Sequence, residues 1–232
     1  MDEAAIALLW GERPPVRRGP RPAFDPESIA RAGITIADRE GLAAVTMQRV
    51  AESLGVTKMA LYRYVPGKAE LVALMVDIGL GEPPAAGADT SWRDALTRWS
   101  HQLFRAFSAH PWAIEATRGS RVVGPNELSW METAVAALAG SGLDGAETLD
   151  VVVLLTGHVR NLGDQTSALR GANAEEAVTA GFQAVLAGRE ERFPAVTAAF
   201  ASAAAGGAQG QALDFGITRI LDGIEVLIAS RL

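Results

Sequence analysis

The stretch from Thr46 to Val65 combines polar capping residues, apolar residues at helical spacing and one glycine, a pattern that predicts two short helices joined by a tight turn. Thr46 can cap the first helix, and Thr57 can cap the second. Gly55 stands where the first helix must end, because the residue after a helix often needs a positive φ. A helix–turn–helix of this kind places the start of its second helix in the DNA major groove, where side chains hydrogen-bond to base edges. The spacing therefore makes the chain a candidate sequence-specific DNA binder.

The distribution of charge supports this interpretation. The 232 residues carry a net charge of −6, but residues 13–68 contain ten Lys or Arg and five Asp or Glu, a net charge of +5. The remaining residues carry −11. A basic segment that coincides with the motif is what a DNA-binding head needs. The alternative is an uneven surface charge without a function.

The composition, 49% hydrophobic and 21% charged, is that of an ordinary globular protein. Cysteine is absent, so neither disulfides nor thiolate metal sites are possible. The sequence contains no run of about eighteen apolar residues, so no membrane span is expected. The acidic start Met1-Asp2-Glu3 argues against a signal peptide. We therefore expect a cytoplasmic protein with no membrane association, no cofactor and no metal site.

Proline and glycine divide the chain into three predicted parts. Residues 1–23 are expected to form a flexible basic arm, because prolines between 14 and 22 prevent a helix. The arginines Arg17, Arg18 and Arg21 either lie in the DNA minor groove or make no contact, and the charge alone does not decide between these. Residues 24–70 are expected to form a three-helix DNA-binding head, and residues 71–232 an effector-binding and dimerisation domain after a linker near 81–90.

The periodicity of apolar residues predicts helices and no convincing strand, which makes the fold class all-α. In the head, Asp25-Pro26 is a typical helix start, and Gly41 ends that helix. A further helix is expected to open at Gly67-Lys68. The helices predicted in the second domain span 91–109, 111–119, 125–139, 144–163, 173–187, 193–204 and 212–231.

The head resembles the DNA-binding domain of TetR-family repressors. The resemblance rests on Glu40-Gly41, Thr46…Val50-Ala51…Leu54-Gly55-Val56, Leu61-Tyr62…Tyr64-Val65 and Lys68…Leu71. It implies base contacts from Gln48, Lys58, Met59 and Ala60. It implies phosphate contacts from Thr46, Tyr62, Tyr64 and Lys68, with Thr57 at the DNA-facing start of the second helix. For Tyr62 the alternative is simple packing on the head.

The second domain resembles the tetracycline repressor branch at Ser91–Leu96, Thr117–Arg121 and Leu154–His158. This resemblance implies a ligand-responsive homodimer. A pocket for a flat, apolar ligand would be lined by Trp99, Leu103, Phe107, Thr117, Trp130, Met131 and His158. Packing of these side chains in a helical core is the alternative. Thr117 stands where that repressor has a metal-ligating histidine, so no tetracycline–magnesium complex is expected.

The final predicted helix carries a wide apolar stripe from Leu213 to Ile228. Together with the helix at 144–163 it could form a four-helix bundle across a two-fold axis, although burial within one subunit is the alternative. We therefore expect a ligand-responsive repressor that binds a palindromic operator in double-stranded DNA as a homodimer and is released by a small hydrophobic or aromatic effector. One competing class is an all-α enzyme, but the sequence has no nucleophile elbow, no phosphate loop and no paired Glu-x-x-His motifs. The other is a nonspecific DNA-organising protein.

Overall fold

The computed structural model describes residues 3–11, 25–85, 91–119, 121–168, 174–206 and 211–231. Across these residues the chain forms α-helices, one short 3-10 turn and no strand, which confirms the all-α prediction. The helices are α1 (Glu3–Trp10), α2 (Pro26–Glu40), α3 (Met47–Ser53), α4 (Lys58–Tyr62), α5 (Lys68–Leu80), α6 (Trp92–Ala109), α7 (Trp112–Ala116), α8 (Pro125–Ala137), α9 (Gly145–Ala168), α10 (Ala174–Leu186), α11 (Pro194–Gly206) and α12 (Ala212–Ala229). No helix within the described ranges is long and apolar enough to cross a membrane.

The head begins with a helix whose two ends are set by local chemistry. The Asp25 carboxylate accepts a hydrogen bond from the Ser28 N–H at 2.8 Å, and the Ser28 hydroxyl accepts one from the Asp25 N–H at 2.9 Å. This reciprocal capping box satisfies donors that the first helical turn leaves open. Gly41 ends α2 with a φ of 85°. Gly55 has a φ of 69° in the turn between α3 and α4, as the sequence predicts.

The connecting helix α5 belongs to the core of both parts of the chain. It packs along α2 in the head and also contacts α6, α7 and α8 in the second domain. Leu71 and Met75 are fully buried in it, and Gly33 of α2 leaves the space that the Met75 side chain fills. A domain boundary at residue 70 falls inside this continuous helix, so the division at that residue stays a prediction. Helix α5 thus connects the head physically to α6, α7 and α8.

The prediction of a flexible arm over residues 1–23 is wrong for its first part. Residues Glu3–Trp10 form α1, which packs on α5 with Ala5 and Leu9 buried. The Trp10 indole donates a hydrogen bond to the Val123 carbonyl at 2.9 Å. The alanines and leucines of this segment favour a helix, and burial of its apolar face stabilises it. Arg17, Arg18 and Arg21 lie outside the described residues.

The second domain is a bundle in which α9 occupies the centre. Helices α6 and α12 pack against it most extensively, and α8 and α7 contact it as well. Its predicted helices are confirmed, with ends that differ from the predicted bounds by up to five residues. Helices α10 and α11 contact each other, and α10 also contacts α9.

The apolar stripe of α12 is buried within its own chain, without a partner subunit. Ile217, Leu221 and Ile224 are at most 5% exposed, because they pack into the bundle of their own chain. The alternative of burial within one subunit therefore holds for these residues. Apolar side chains on other faces of α12 remain open, with Phe215 68% and Val226 72% exposed.

Candidate DNA interface and effector site

The second helix of the motif is positioned by one buried residue and one cap. Leu61 is fully buried on the inner face of α4, and the Thr57 hydroxyl accepts a hydrogen bond from the Ala60 N–H at 3.3 Å. With Leu61 turned inward, Lys58 and Met59 face outward, and Met59 is 72% exposed. A short helix held at one face and open at the other has the form that insertion into a DNA groove requires.

Two of the predicted DNA-binding side chains meet on the outer face of α4. The Lys58 ammonium lies 5.6 Å from the centroid of the Tyr62 ring, one helical turn further on. This cation–π contact orients the lysine without neutralising its charge. Tyr62 is 37% exposed, so the ring does not pack fully into the head as the alternative interpretation requires.

The first helix of the motif carries the other predicted contacts. The Thr46 hydroxyl caps α3 by accepting from the Arg49 N–H at 3.2 Å. Gln48 is exposed, and its amide donates to Glu52 at 2.7 Å. Among the remaining predicted contacts, Lys68 and Thr57 are exposed, whereas Ala60 and Tyr64 are half-buried. The structure thus leaves these residues at the surface of the head without testing their contacts to DNA.

Arg49 serves the architecture of the head. Its guanidinium donates to both oxygens of Glu40 at 2.9 and 2.6 Å, which ties α3 to the end of α2. This hydrogen bonding lowers the pKa of the Glu40 carboxyl. A bidentate pair of this kind fixes orientation, so the angle between α2 and the motif is set by side chains as well as by packing.

Two tryptophans form the centre of the predicted effector site. Trp99 of α6 donates its indole N–H to the Trp130 carbonyl at 2.8 Å, and the two rings meet edge to face at 5.9 Å between centroids. Trp130 in turn donates to the Gly81 carbonyl at 2.9 Å, at the end of α5. Both rings are at most 5% exposed. The pair therefore packs the core and also connects the effector domain to the helix that leaves the head.

The structure brings five of the seven predicted effector residues into or beside the core. Leu103 and Phe107 are buried with the two tryptophans. Thr117, the residue that directly follows α7, is half-buried. His158 contacts the Leu213 carbonyl at 3.2 Å, nearer to α12. Met131 is 41% exposed, because it follows Trp130 on a helix and points about 100° away. Packing accounts for the four buried side chains as they stand.

Sequence reasoning missed a group of charged residues around Thr117. Arg160 of α9 donates to the Thr117 hydroxyl, and its guanidinium carbon lies 6.0 Å from the Phe107 ring centroid. Arg121 pairs with Glu127 through two hydrogen bonds. Burial lowers the pKa of Arg160, and the neighbouring positive charge of Arg121 adds to that effect. The signal in the sequence is an arginine directly after the apolar run at 151–159.

A buried carboxylate joins α5 to α8. Asp77 is 5% exposed and accepts hydrogen bonds from the backbone N–H groups of Asn126 at 2.8 Å and Glu127 at 3.1 Å. These donors belong to the open first turn of α8. Gly124 is required beside them, because a Cβ there would overlap the Asp77 carboxylate. Desolvation raises the pKa of Asp77 even though both N–H groups favour its charged form.

A second carboxylate joins the head to the effector domain directly. One oxygen of Asp38, near the end of α2, accepts from the Trp112 indole at 2.7 Å and contacts His110 Nδ1 at 2.8 Å. Beside this contact lies a cleft of about 610 Å³. Its walls come from the end of α2, the α6–α7 junction and the end of α9. None of the seven predicted effector residues lines it. Asp38, Glu115 and Asp164 do, which gives the cleft an acidic wall. Within the described residues, no group of three His, Asp or Glu side chains is arranged to bind a metal.

The chain matches two described families. Residues 29–75 match bacterial regulatory proteins of the tetR family, and residues 71–228 match the tetracyclin repressor-like C-terminal domain. The HTH-type transcriptional repressor DrrR1 of Streptomyces coeruleorubidus is 34% identical over 239 residues, covering 97% of this chain and 86% of that protein. The tetracycline repressor protein class A of Escherichia coli is 25% identical, covering 66% of this chain and 75% of that repressor. The structure of ActR from Streptomyces coelicolor with actinorhodin has a TM-score of 0.71 and 25% identity, covering 86% of this chain and 94% of ActR.

Proposed function

Because the chain belongs to the TetR family of bacterial regulatory proteins, we propose that it is a repressor that binds a palindromic operator as a homodimer and is released by a small effector. As a member of this family it is a DNA-binding transcriptional regulator and not an enzyme. The observation that carries the proposal is the second helix of the motif, with Leu61 buried and Lys58 and Met59 exposed at its start. A regulator of bacterial transcription works where the DNA is, so we place it in the cytoplasm.

Base edges are read from the first turn of α4 and from the start of α3. Lys58 donates to guanine O6 or N7, and Met59 and Ala60 contact thymine methyl groups. Gln48 pairs with adenine after its amide leaves Glu52, a bond between exposed groups that is easily exchanged. Phosphates are contacted by hydroxyls and cations that set the register, namely Thr46, Thr57, Tyr62, Tyr64 and Lys68.

Dimerisation uses the outer faces of α9 and α12. On α9, Leu149, Val153 and Leu154 are 47%, 64% and 55% exposed, and Val226 of α12 is 72% exposed. Gly157 follows on α9 with open space where a side chain would stand, which allows a second helix to approach closely. Exposed apolar side chains on two adjacent helices are typical of a self-complementary interface. A dimer of this kind also supplies the two recognition helices that a palindrome requires.

Release requires the effector domain to move the head. The α5 helix offers that connection, since Trp130 holds its end at Gly81 and Asp77 holds its middle to the start of α8. An effector with an aromatic or apolar body that enters beside Trp99 and Phe107 displaces α8, and α5 follows. ActR, which has been solved with actinorhodin, supports a small aromatic molecule as the class of effector. DNA and effector must weaken each other by the same factor.

The test is footprinting on the DNA upstream of the protein's own coding sequence. At about 150 mM salt, protection of a palindrome in the upstream DNA together with no protection of random-sequence DNA supports the repressor. Uniform protection with a steep dependence on salt would instead support a nonspecific DNA-organising protein. A thermal-shift screen of aromatic compounds, followed by operator release with each hit, then identifies effectors.

A further inference from the structure

Arg160 is a charged residue at the predicted effector site without a carboxylate partner among the described side chains. Its guanidinium is held by the Thr117 hydroxyl and by the face of the Phe107 ring. Both of those residues were predicted from the sequence to contact the effector. A neutral hydroxyl and a ring leave most of the five guanidinium donors without a partner in the part of the chain that the structure describes.

The surroundings of Arg160 add positive charge. Burial lowers the pKa of Arg160 most, the charges of Arg121 and Arg118 lower it further, and the charge of Glu127 opposes them. Those two arginines have acids of their own, Glu127 and Asp164 respectively. Arginine does not lose its proton in a protein. The negative charge of Glu127 also acts on Arg160, but that carboxylate is paired with Arg121, so among the described residues Arg160 makes no ion pair of its own.

Arg121 carries a second open donor in the same place. Two of its nitrogens reach Glu127, but its Nε is buried and has no hydrogen-bond partner among the described residues. Buried donors without acceptors are rare in native proteins, and each has a free-energy cost. Arg160 on α9 and Arg121 before α8 thus both have unused donors, and they lie close enough for their charges to act on each other.

We propose that Arg160, assisted by Arg121, forms an anion-binding subsite, so that the effector is an aromatic molecule carrying a carboxylate. The carboxylate accepts from Arg160 in a bidentate pair, and the aromatic body lies along Phe107. Planar guanidinium and planar carboxylate match in geometry and charge. The inference rests on the proposed function, since it names the chemistry of the effector that releases the operator.

The subsite also accounts for how binding could be transmitted. Arg121 is bonded to Glu127, whose backbone N–H is one of the two donors to Asp77. An anion that draws Arg121 towards Arg160 pulls on the first turn of α8. That turn is where α5, the helix leaving the head, is attached.

The experiment uses the full-length protein and matched pairs of probes. Aromatic carboxylic acids, beginning with naphthalene-2-carboxylate, are each compared with the primary amide, here naphthalene-2-carboxamide, by thermal shift and by operator release. We expect acids to bind about tenfold or more tightly than their amides, as a charge-assisted hydrogen bond predicts. In Arg160→Gln the preference should fall to about one. Arg118→Gln, an exposed arginine in the same cluster, is the control and should keep it.

Each outcome bears on the subsite separately from the repressor function. Amides that equal their acids, or acid binding that is unchanged in Arg160→Gln, would overturn the subsite. If no acid binds at millimolar concentration while the operator is bound specifically, the subsite is wrong and the repressor stands. If the operator is not bound, the thermal shift still measures the preference for acids. Should Arg160→Gln fail to fold, Arg160→Lys keeps the charge without the bidentate geometry and should retain only part of the preference.

Discussion

Asp77 in α5 accepts a hydrogen bond from the backbone N–H of Asn126 in α8, so a buried carboxylate fastens the helix leaving the head to the helix that carries Trp130. Asp77 takes the place of the side-chain cap that α8 lacks at its own N-cap position, since Gly124 provides no side chain there. The negative charge also lies at the positive end of the helix dipole. One of the connections between the head and the effector domain therefore depends on an ionisable group.

The Asp77→Asn variant should change how stability depends on pH. Burial raises the folded-state pKa of Asp77 above its usual value, against the opposing effects of the two N–H groups and Arg121, while Glu127 raises it further. Between the ordinary and the raised pKa the folded state binds more protons, so this contribution to stability is fully present below the ordinary pKa. It is lost as pH rises through the raised pKa.

Urea unfolding of both proteins from pH 7 to pH 4 checks this. The free energy of unfolding of the wild type, measured relative to Asp77→Asn, should increase as the pH falls. The groups common to both proteins cancel in the difference. A difference that is independent of pH, or that decreases on acidification, would show that Asp77 is not the buried acid described here.

Gly124→Ala should destabilise the protein, because the added methyl group overlaps the Asp77 carboxylate. Overpacking of this kind costs about 1–3 kcal/mol. The matched control is Gly181→Ala in the middle of α10, where nothing lies within 4 Å of the added carbon. That change should be neutral or stabilise by up to about 1 kcal/mol, since alanine favours helices. Thermal unfolding of the pair measures both, and equal melting temperatures would contradict the close approach.

Lys58→Ala should weaken operator binding by about 1–3 kcal/mol while leaving the fold intact, because the lysine is exposed at the start of α4. Gel shift with the operator and with random DNA separates loss of base reading from loss of general affinity. Arg192→Ala, which removes an exposed positive charge in the second domain, serves as the control. If both variants bind the operator like the wild type, Lys58 does not read a base.

Replacing Arg17, Arg18 and Arg21 by alanine should flatten the salt dependence of operator binding. Each phosphate contact steepens the slope of log affinity against log salt by about 0.9. Substitution is preferable to truncation, because deleting the first 22 residues would also remove α1 and expose its site on α5. An unchanged slope would mean that these arginines do not touch DNA.

Val226→Arg should convert the protein to a monomer without unfolding it. Val226 is 72% exposed in the single chain, so the charge is buried only when a second copy docks. Val185→Arg on α10, 63% exposed and outside the proposed interface, should remain dimeric. Light scattering at micromolar concentration distinguishes the states. Ile224→Arg is not a suitable test, because Ile224 is core within its own subunit.

The elements that could be predicted from the sequence are those whose ends are decided locally. Asp25, Gly41 and Thr46 act on backbone groups within a few residues, so their types and positions fix helix ends without knowledge of the fold. The inward side of α12 was not predictable in the same way. Periodicity identifies an apolar stripe but does not say whether the helix covering it comes from the same chain.

The residues that sequence reasoning missed depend on contacts across long separations. Asp77 and Asn126 are 49 positions apart, and Arg160 and Thr117 are 43 apart. Nothing in the local pattern distinguishes Asp77 from an ordinary exposed acid on a helix. The short α1 was missed for a related reason, since eight residues make a marginal helix until α5 supplies a surface for it.

The indole of Trp112 gives the molecule a built-in optical reporter. It is 4% exposed, and its N–H is bound to Asp38 of the head although the ring belongs to the effector domain. Separation of the head from the effector domain must break that bond and expose the ring to water, which shifts indole emission to longer wavelength. With the other four tryptophans replaced by phenylalanine one at a time, the emission that responds to operator binding can be assigned to this joint. Head movement can then be followed in real time without an attached dye.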